Sequence, residues 1–134
     1  MKQSIFKLLM VALLISIVTV ACGFSASTAN ISSAVMSTDD TGSQQTSVFS
    51  QDATFYAIIE LKNAPDDTAV KAVWTAVDVV DTEKGLVIDE FSMTSGDATI
   101  PFSLSNDNLW PTGKYKVDIY LNDELNKTLE FEVQ

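Results

Sequence analysis

The chain contains no histidine and a single cysteine among its 134 residues. The absence of histidine removes the commonest general base, the usual Ser-His-Asp triads and most zinc sites. The one cysteine, Cys22, cannot form an internal disulfide, so its presence needs another explanation. Arginine is also absent, and with it the forked guanidinium group that binds phosphates and bases.

Negative charge dominates what is present. The formal net charge is −10, and all eight cationic residues are lysines. Lys2 and Lys7 precede Cys22 whereas all 18 acidic residues follow it, which leaves six lysines against 18 acids, a net charge of −12, beyond the cysteine. Such a surface repels phosphate backbones, so nucleic acid is not expected as a partner.

The amino terminus has the pattern of a secretory signal peptide. Two lysines lie within residues 1–7, and an uninterrupted apolar run, LLMVALLISIVTVA, occupies residues 8–21. This run is shorter than the roughly 20 residues that a membrane-spanning helix needs. Residues 1–21 are therefore predicted to form a signal-peptide helix that is removed on export.

The end of this leader, Thr19-Val20-Ala21-Cys22, resembles the lipobox of bacterial lipoproteins, although Thr19 stands where that pattern most often has leucine. The resemblance implies cleavage before Cys22, a diacylglycerol group on its thiol and usually an acylated amino terminus. Two or three such chains, of which palmitate is one candidate, anchor a protein stably. The expected location is therefore the extracytoplasmic side of the cell membrane or the outer membrane. Gly23 rather than aspartate follows the cysteine, and in a host with two membranes the sorting rules of lipoproteins would permit transfer to the outer one.

Two other interpretations of the leader remain open. One is an ordinary secretory peptide cut later, near Ala26 or Ala29, and the other is an uncleaved amino-terminal anchor. Residues 22–47 are rich in Ser, Thr, Ala and Gln and lack a helical or strand period. They are predicted to be a lipidated, disordered tether that holds the domain roughly 25 to 30 Å from the lipid.

Alternating polar and apolar residues predict an all-β domain over residues 48–134. Tyr115, Val117 and Ile119 alternate with charged residues, and Asn122-Asp123-Glu124 is a typical hairpin turn. Six strands separated by turn-rich loops, with a seventh short edge strand near 48–50, predict a β-sandwich. The predicted strands cover residues 53–62, 69–80, 86–94, 98–104, 114–121 and 125–133.

Two features resemble the immunoglobulin and fibronectin type III families. The segment Leu109-Trp110-Pro111-Thr112-Gly113-Lys114-Tyr115 is similar to a tyrosine corner, whose hydroxyl binds the preceding loop. Trp74 lies in the predicted strand 69–80, which corresponds to strand C, where immunoglobulin-like domains bury a tryptophan. The resemblance spans about residues 48–134 and implies an antiparallel immunoglobulin-like sandwich.

Acidic loops are the only clusters in the sequence that suggest a metal. Asp66, Asp67, Asp107 and Asp123 lie in predicted turns and are weak calcium candidates, since loop carboxylates are common calcium ligands. No EF-hand spacing occurs, and Asp favours turns for its own local hydrogen bonds. Solvated turn residues are therefore the expected state, with no metal site and no cofactor other than the lipid on Cys22.

Catalysis is not expected from this chain. Asp89 and Glu90 are adjacent on a predicted strand, so their side chains point to opposite faces and cannot flank one glycosidic bond. Beyond the predicted leader, no SxxK or GxSxG motif supplies an activated serine. Trp110 and Tyr120 are the possible binding residues. The expected role of the Trp110 indole is to cap one end of the core, with an exposed binding contact as the alternative, and the same question arises for Tyr120 on the outer face.

The sequence therefore favours a lipid-anchored, non-catalytic binding or assembly module. Its expected partners are the membrane, through the lipid, and an envelope protein or glycan. One alternative is a passive spacer or surface-coat module without a specific ligand. Another is a calcium-dependent carbohydrate-binding or hydrolytic domain.

Overall fold

The computed structural model describes residues 27–134, so the signal peptide and Cys22 lie outside the described residues. These residues form an all-β sandwich, as predicted, and include no helix that is long and apolar enough to cross a membrane. The strands are β1 (Asn30–Ser37), β2 (Val48–Phe49), β3 (Phe55–Lys62), β4 (Thr68–Val79), β5 (Leu86–Ser95), β6 (Ala98–Leu104), β7 (Gly113–Leu121) and β8 (Glu124–Val133).

The strands form two sheets of unequal width. One sheet has the order β1-β3-β6 and the other the order β2-β8-β7-β4-β5. Every pairing is antiparallel except that of β2 with β8, which is parallel. The six predicted strands agree with the observed ones to within two residues at each end, and β2 confirms the short seventh strand.

Aromatic side chains fill the core between the two sheets. Phe55 lies at the centre, with its ring 4.8 Å from those of Trp110 and Phe131 and 5.0 Å from that of Phe49. Trp74, on β4, is fully buried, as predicted from its place in the strand that corresponds to strand C. Stacked and edge-to-face pairs at such distances add to the stabilisation that burial itself provides.

The predicted tether is wrong for residues 30–47. Asn30–Ser37 is a strand that pairs with β3 from Asn30 opposite Lys62 to Ser37 opposite Tyr56, so the sandwich begins well before residue 48. A register shift after Ile31 reverses the alternation of faces, which lets both Ile31 and Met36 reach the core. Because β1 contains mostly small residues and is interrupted by this bulge, its sequence does not show the alternation of polar and apolar residues that is typical of a strand.

The segment that follows β1 is also ordered by local hydrogen bonds. The carboxylate of Asp39 accepts hydrogen bonds from the hydroxyls of Ser37 and Ser43 and from the backbone N–H of Ser43. The bonds from the two hydroxyls, that of Ser37 first and that of Ser43 second, hold the pKa of Asp39 well below its usual value of 3.8. The N–H of Thr46 then donates to the carbonyl of Met36 at 3.1 Å, which brings the chain back along β1.

The chain enters the sandwich at one of its two ends. There the Thr28 hydroxyl donates to the carbonyl of Asn63 at 2.8 Å, and the Asn122 amide donates to the Ser27 hydroxyl at 3.3 Å. We call this the N-terminal end; it comprises residues 27–29 and the loops 63–67, 96–97 and 122–123. The opposite, distal end comprises the loops 38–47, 50–54, 80–85 and 105–112 and the carboxyl terminus.

Candidate functional site

The four aspartates proposed as weak calcium candidates do not converge. Asp66, Asp67 and Asp123 lie in loops at the N-terminal end, whereas Asp107 lies in the loop after β6 at the distal end. Within residues 27–134, no group of three or more acidic or sulfur-bearing side chains is positioned to hold a metal ion. Asp123 adopts a positive φ of 66° in the β7–β8 hairpin, which is a common conformation for a turn residue.

Trp110, a candidate binding residue, belongs to the core. Its indole is only 6% exposed, and its Nε1 donates a hydrogen bond of 2.9 Å to the carbonyl of Ala53. Its ring stacks on that of Phe55. The side chain therefore closes the distal end of the core, as the core-capping interpretation predicted, and the alternative of an exposed contact at Trp110 is wrong because the loop folds the indole inward.

Tyr120, the second candidate, lies on the outer face of the larger sheet and is half-buried. Lys71 on the neighbouring strand places its Nζ 4.6 Å from the centre of the Tyr120 ring. This cation–π contact covers part of the ring. A ligand that stacked on Tyr120 would have to displace Lys71.

Charge pairs balance the rest of this outer face. Lys116 Nζ lies 3.1 Å from a carboxylate oxygen of Asp118, and the other oxygen of that carboxylate accepts a bond of 2.6 Å from the Thr128 hydroxyl. Lys114 and Lys116 stand opposite Glu132 and Glu130 in the β7–β8 register. Such cross-strand pairs are typical of a solvated sheet face.

Three shallow depressions border β8. One, of about 340 Å³, is bordered by Val48, Val77 and Lys114 on the outer face. Another, of about 420 Å³, lies between β1 and β8 and includes Val35 and Leu129. The third, of about 360 Å³, lies at the distal end near Gly113. All three are wide open to solvent, so none encloses a small molecule as a preformed ligand pocket does.

The exposed edge formed by β5 is the feature that sequence reasoning missed, although the strand itself was predicted. Among its residues, Leu86, Val87, Phe91 and Met93 are exposed by 42 to 54%, and β5 is one of the two edge strands of its sheet. Its sequence, LVIDEFSMTS, contains no lysine or proline, the residues that commonly protect an edge strand. That composition was a usable signal, but the sequence did not show that β5 lies at an edge.

The expected separation of Asp89 and Glu90 is confirmed. Asp89 stands opposite Trp74, whose side chain faces the core, whereas Glu90 stands opposite Val73 on the outer face. The two carboxylates therefore lie on opposite faces of β5. They cannot act together on one substrate bond.

The chain is similar in structure to several proteins of known fold. One is an immunoglobulin-like protein from Pseudomonas aeruginosa, with a TM-score of 0.57 and 15% identity. The match covers 83% of this chain and the whole of that protein. The chain is also similar to an alkylpurine DNA glycosylase from Pseudomonas fluorescens, bound to DNA with an abasic site analogue, at a TM-score of 0.53 and 16% identity. That match covers 79% of this chain and 30% of the glycosylase.

A third likeness, to a β-glucosidase from Listeria innocua, has a TM-score of 0.47, 14% identity and 78% coverage of this chain, but only 15% of the enzyme. No family model and no curated protein matches the sequence. Likeness at these identities concerns the fold alone. By its fold, the chain is an immunoglobulin-like β-sandwich.

Proposed function

We propose that this protein is a lipoprotein held at the extracytoplasmic face of a membrane through Cys22, where its sandwich acts as a non-catalytic binding or assembly module. The observation that carries the proposal is the closeness of the two parts: the sandwich is already ordered at Ser27, five residues after the lipobox-like cysteine. Its fold supports a module whose role is contact, since immunoglobulin-like sandwiches recur widely in cell-surface domains.

The short connection sets where the domain would lie. Five residues extend at most about 18 Å, so a lipid on Cys22 would keep the N-terminal end next to the bilayer. The distal loops and the sides of the sandwich would then face away from the lipid. Confinement near a membrane raises the effective concentration of the module, so even a weak contact with an envelope component becomes significant.

The charge of the sandwich is compatible with this position. Its 18 acids outnumber its six lysines, and the resulting net negative charge repels anionic headgroups. This repulsion would keep the sides of the domain off the bilayer and exposed to a partner. Anchoring therefore falls to the lipid alone.

Fatty-acid labelling of the intact cell tests the anchor. The wild-type chain should incorporate a labelled fatty acid and stay with the membrane, whereas Cys22→Ser should lose the label and enter the soluble fraction. Ser32→Ala, an exposed change on β1, is the matched control and should keep both properties. An unlabelled wild-type chain, or a Cys22→Ser chain that stays in the membrane, would show that the leader is not a lipoprotein signal.

Crosslinking in the intact envelope separates a binding module from a passive spacer. A photoreactive residue placed along one side of the sandwich should yield one recurrent product, and the same residue on another side should not. Random or absent products from every side would favour the spacer.

A further inference from the structure

The outer side of β5 is a free sheet edge. The order of the larger sheet ends at β5, so one row of its backbone N–H and C=O groups has no strand partner within residues 27–134. The register with β4 skips Ile88, and from Asp89 to Ser95 the pairing is regular. Seven consecutive residues therefore form an unbroken template for another strand.

The inner face of β5 is apolar and incompletely covered. Phe91 stands opposite Ala72 and Met93 opposite Val70, and both β4 residues are fully buried in the core. Phe91 and Met93 nevertheless remain 42% and 43% exposed, because the facing sheet has three strands and ends at β6. A strand added beside β5 would cover one side of these two side chains with its own apolar side chains.

The other edges of the sandwich are less suited to docking. Pro101, which lacks an N–H group, lies on β6, an edge of the smaller sheet. The N–H of Thr46 covers part of β1 by donating to Met36. β2 covers β8 only at Glu132 and Val133, and the uncovered part of β8 contains Lys127, a residue that commonly protects an edge. In the described part of the chain, β5 has the most exposed apolar side chains of any edge strand, four against Leu125 alone on β8.

A second copy in the same membrane does not fit this edge. Symmetric pairing of two β5 strands is antiparallel, so it would turn one copy end over end. The length of β4 is 12 residues, or about 40 Å. The connection from Cys22 to Ser27 reaches at most about 18 Å, so the inverted copy could not reach the same bilayer. Each copy also carries an excess of negative charge that repels the other.

The charges of β5 favour a basic partner. Its only charged side chains are Asp89, on the inner face beside Phe91, and Glu90, on the outer face. An antiparallel segment on this edge would place two alternate residues opposite Met93 and Phe91, and its next two residues opposite Glu90 and Asp89. Apolar side chains suit the first pair and lysine or arginine the second.

We propose that β5 is a docking strand for an extended segment of another protein, which carries two alternate apolar side chains followed by two basic ones. The segment adds to the sheet through main-chain hydrogen bonds, and its side chains provide the selectivity. This inference rests on the proposed function at one step, because the membrane anchor is what excludes a second copy.

A synthetic peptide tests the docking strand. The probe is a fluorescent, acetylated peptide, Thr-Thr-Val-Thr-Val-Lys-Lys, designed to lie antiparallel to Ser95–Asp89. Binding is followed by fluorescence anisotropy with the full chain, purified in detergent from whichever fraction contains it. One control peptide replaces the central threonine by proline, which removes an N–H, and the other replaces both lysines by glutamate. The Kd of each control peptide should be at least tenfold higher than that of the probe, a loss of about 1.4 kcal/mol of binding free energy.

Variants of the protein locate the binding to β5. Phe91→Thr and Met93→Thr should each weaken the probe at least tenfold, because each removes an apolar contact but keeps a residue suited to strands. Leu125→Thr removes a more exposed apolar side chain from β8 and should leave binding unchanged. Tryptophan fluorescence verifies that each variant is folded.

Several outcomes would overturn the docking strand. They are no binding of the probe, equal binding of the proline peptide, or unchanged binding by both β5 variants. A dimer in light scattering that Phe91→Thr dissociates would identify a second copy as the occupant. Peptide binding does not need the lipid, and fatty-acid labelling does not need β5, so a failure of one experiment does not imply a failure of the other.

Discussion

The hydroxyl of Tyr115 donates a hydrogen bond of 2.6 Å to the carbonyl of Pro111, four residues earlier in the chain. This bond is the tyrosine corner that the sequence predicted, and it fixes the loop from β6 at the point where β7 begins. Burial raises the pKa of the Tyr115 hydroxyl, which keeps it protonated as a donor.

Tyr115→Phe should lower the free energy of unfolding by about 0.5 to 1.5 kcal/mol, since it removes this hydrogen bond and leaves a carbonyl without its partner. Urea unfolding followed by tryptophan fluorescence measures the change. Tyr120→Phe, on the outer face, is the control and should shift stability by less than about 0.5 kcal/mol. Equal effects of the two changes would contradict a special role for the corner.

The two tryptophans should respond differently to replacement by phenylalanine. Trp110 Nε1 donates to Ala53, whereas Trp74 Nε1 is buried without a hydrogen-bond partner among the described residues. Both changes reduce core volume, but Trp74→Phe also removes an unsatisfied donor, which relieves a cost. We expect Trp110→Phe to be the more destabilising by about 1 kcal/mol in urea unfolding. The reverse order would show that packing around Trp74 outweighs its unpaired N–H.

Gly113 should tolerate no side chain. It opens β7 with a φ of 144°, and a Cβ there would lie 2.4 Å from the carbonyl oxygen of Asp78 on β4. Gly113→Ala must therefore force the two strands apart, and we expect a loss of more than about 3 kcal/mol in thermal or urea unfolding.

Gly85 provides the matched comparison for Gly113. It has a positive φ of 77°, but a Cβ there would meet nothing within 4 Å. Gly85→Ala should cost only the conformational strain, about 1 to 2 kcal/mol. Similar losses at the two glycines would mean that the close approach of β7 to β4 is unimportant.

Acid should weaken the fold partly through Asp39. Its pKa is lowered in the folded state, chiefly by the Ser37 hydroxyl, so its contribution to stability is complete above the usual value of 3.8. The contribution is lost as the pH falls below that value toward the folded pKa. Thermal melting from pH 7 to pH 2 should show a smaller acid loss for Asp39→Asn than for the wild type.

The neighbouring Asp40 supplies the control for this pH dependence. Asp40→Asn removes the same charge from an exposed position in the same loop. It should leave the acid-dependent loss close to that of the wild type. A wild-type response in Asp39→Asn would show that the hydrogen bonds to Ser37 and Ser43 do not couple folding to pH.

Calcium should leave the thermal midpoint unchanged. Asp66, Asp67 and Asp123 lie at the N-terminal end and Asp107 at the distal end, so they cannot form one ligand set. A ligand that binds only the folded state would raise the midpoint. A rise at 1 mM calcium that Asp66→Asn abolishes would revive the calcium-dependent alternative.

The sequence predicted well wherever local chemistry was sufficient. Alternation along β7 and β8 identified both strands, and Asn122-Asp123 identified the hairpin between them, because a half-buried strand and a tight turn each impose a local pattern. The spacing of Pro111 and Tyr115 identified the tyrosine corner. These features depend on residues that are close along the chain.

The sequence failed where partners are distant along the chain. Asn30–Ser37 resembled a linker because its apolar residues are few and a bulge disturbs their period, and only pairing with β3 makes it a strand. For Trp110 the sequence left a core cap and an exposed contact both open, and the packing of Phe55 against its ring distinguishes them. Neither the pairing of β1 with β3 nor this ring contact has a local signature.

Composition and local pattern were enough to predict an acidic sandwich of alternating strands without an internal disulfide, because polarity and turn residues act locally on the backbone. Which strands lie at the edges could be read only from the folded chain, since edges arise from pairing between distant segments. The exposure of Phe91 and Met93 follows from that pairing: five strands face three, and β5 extends beyond the cover of the smaller sheet.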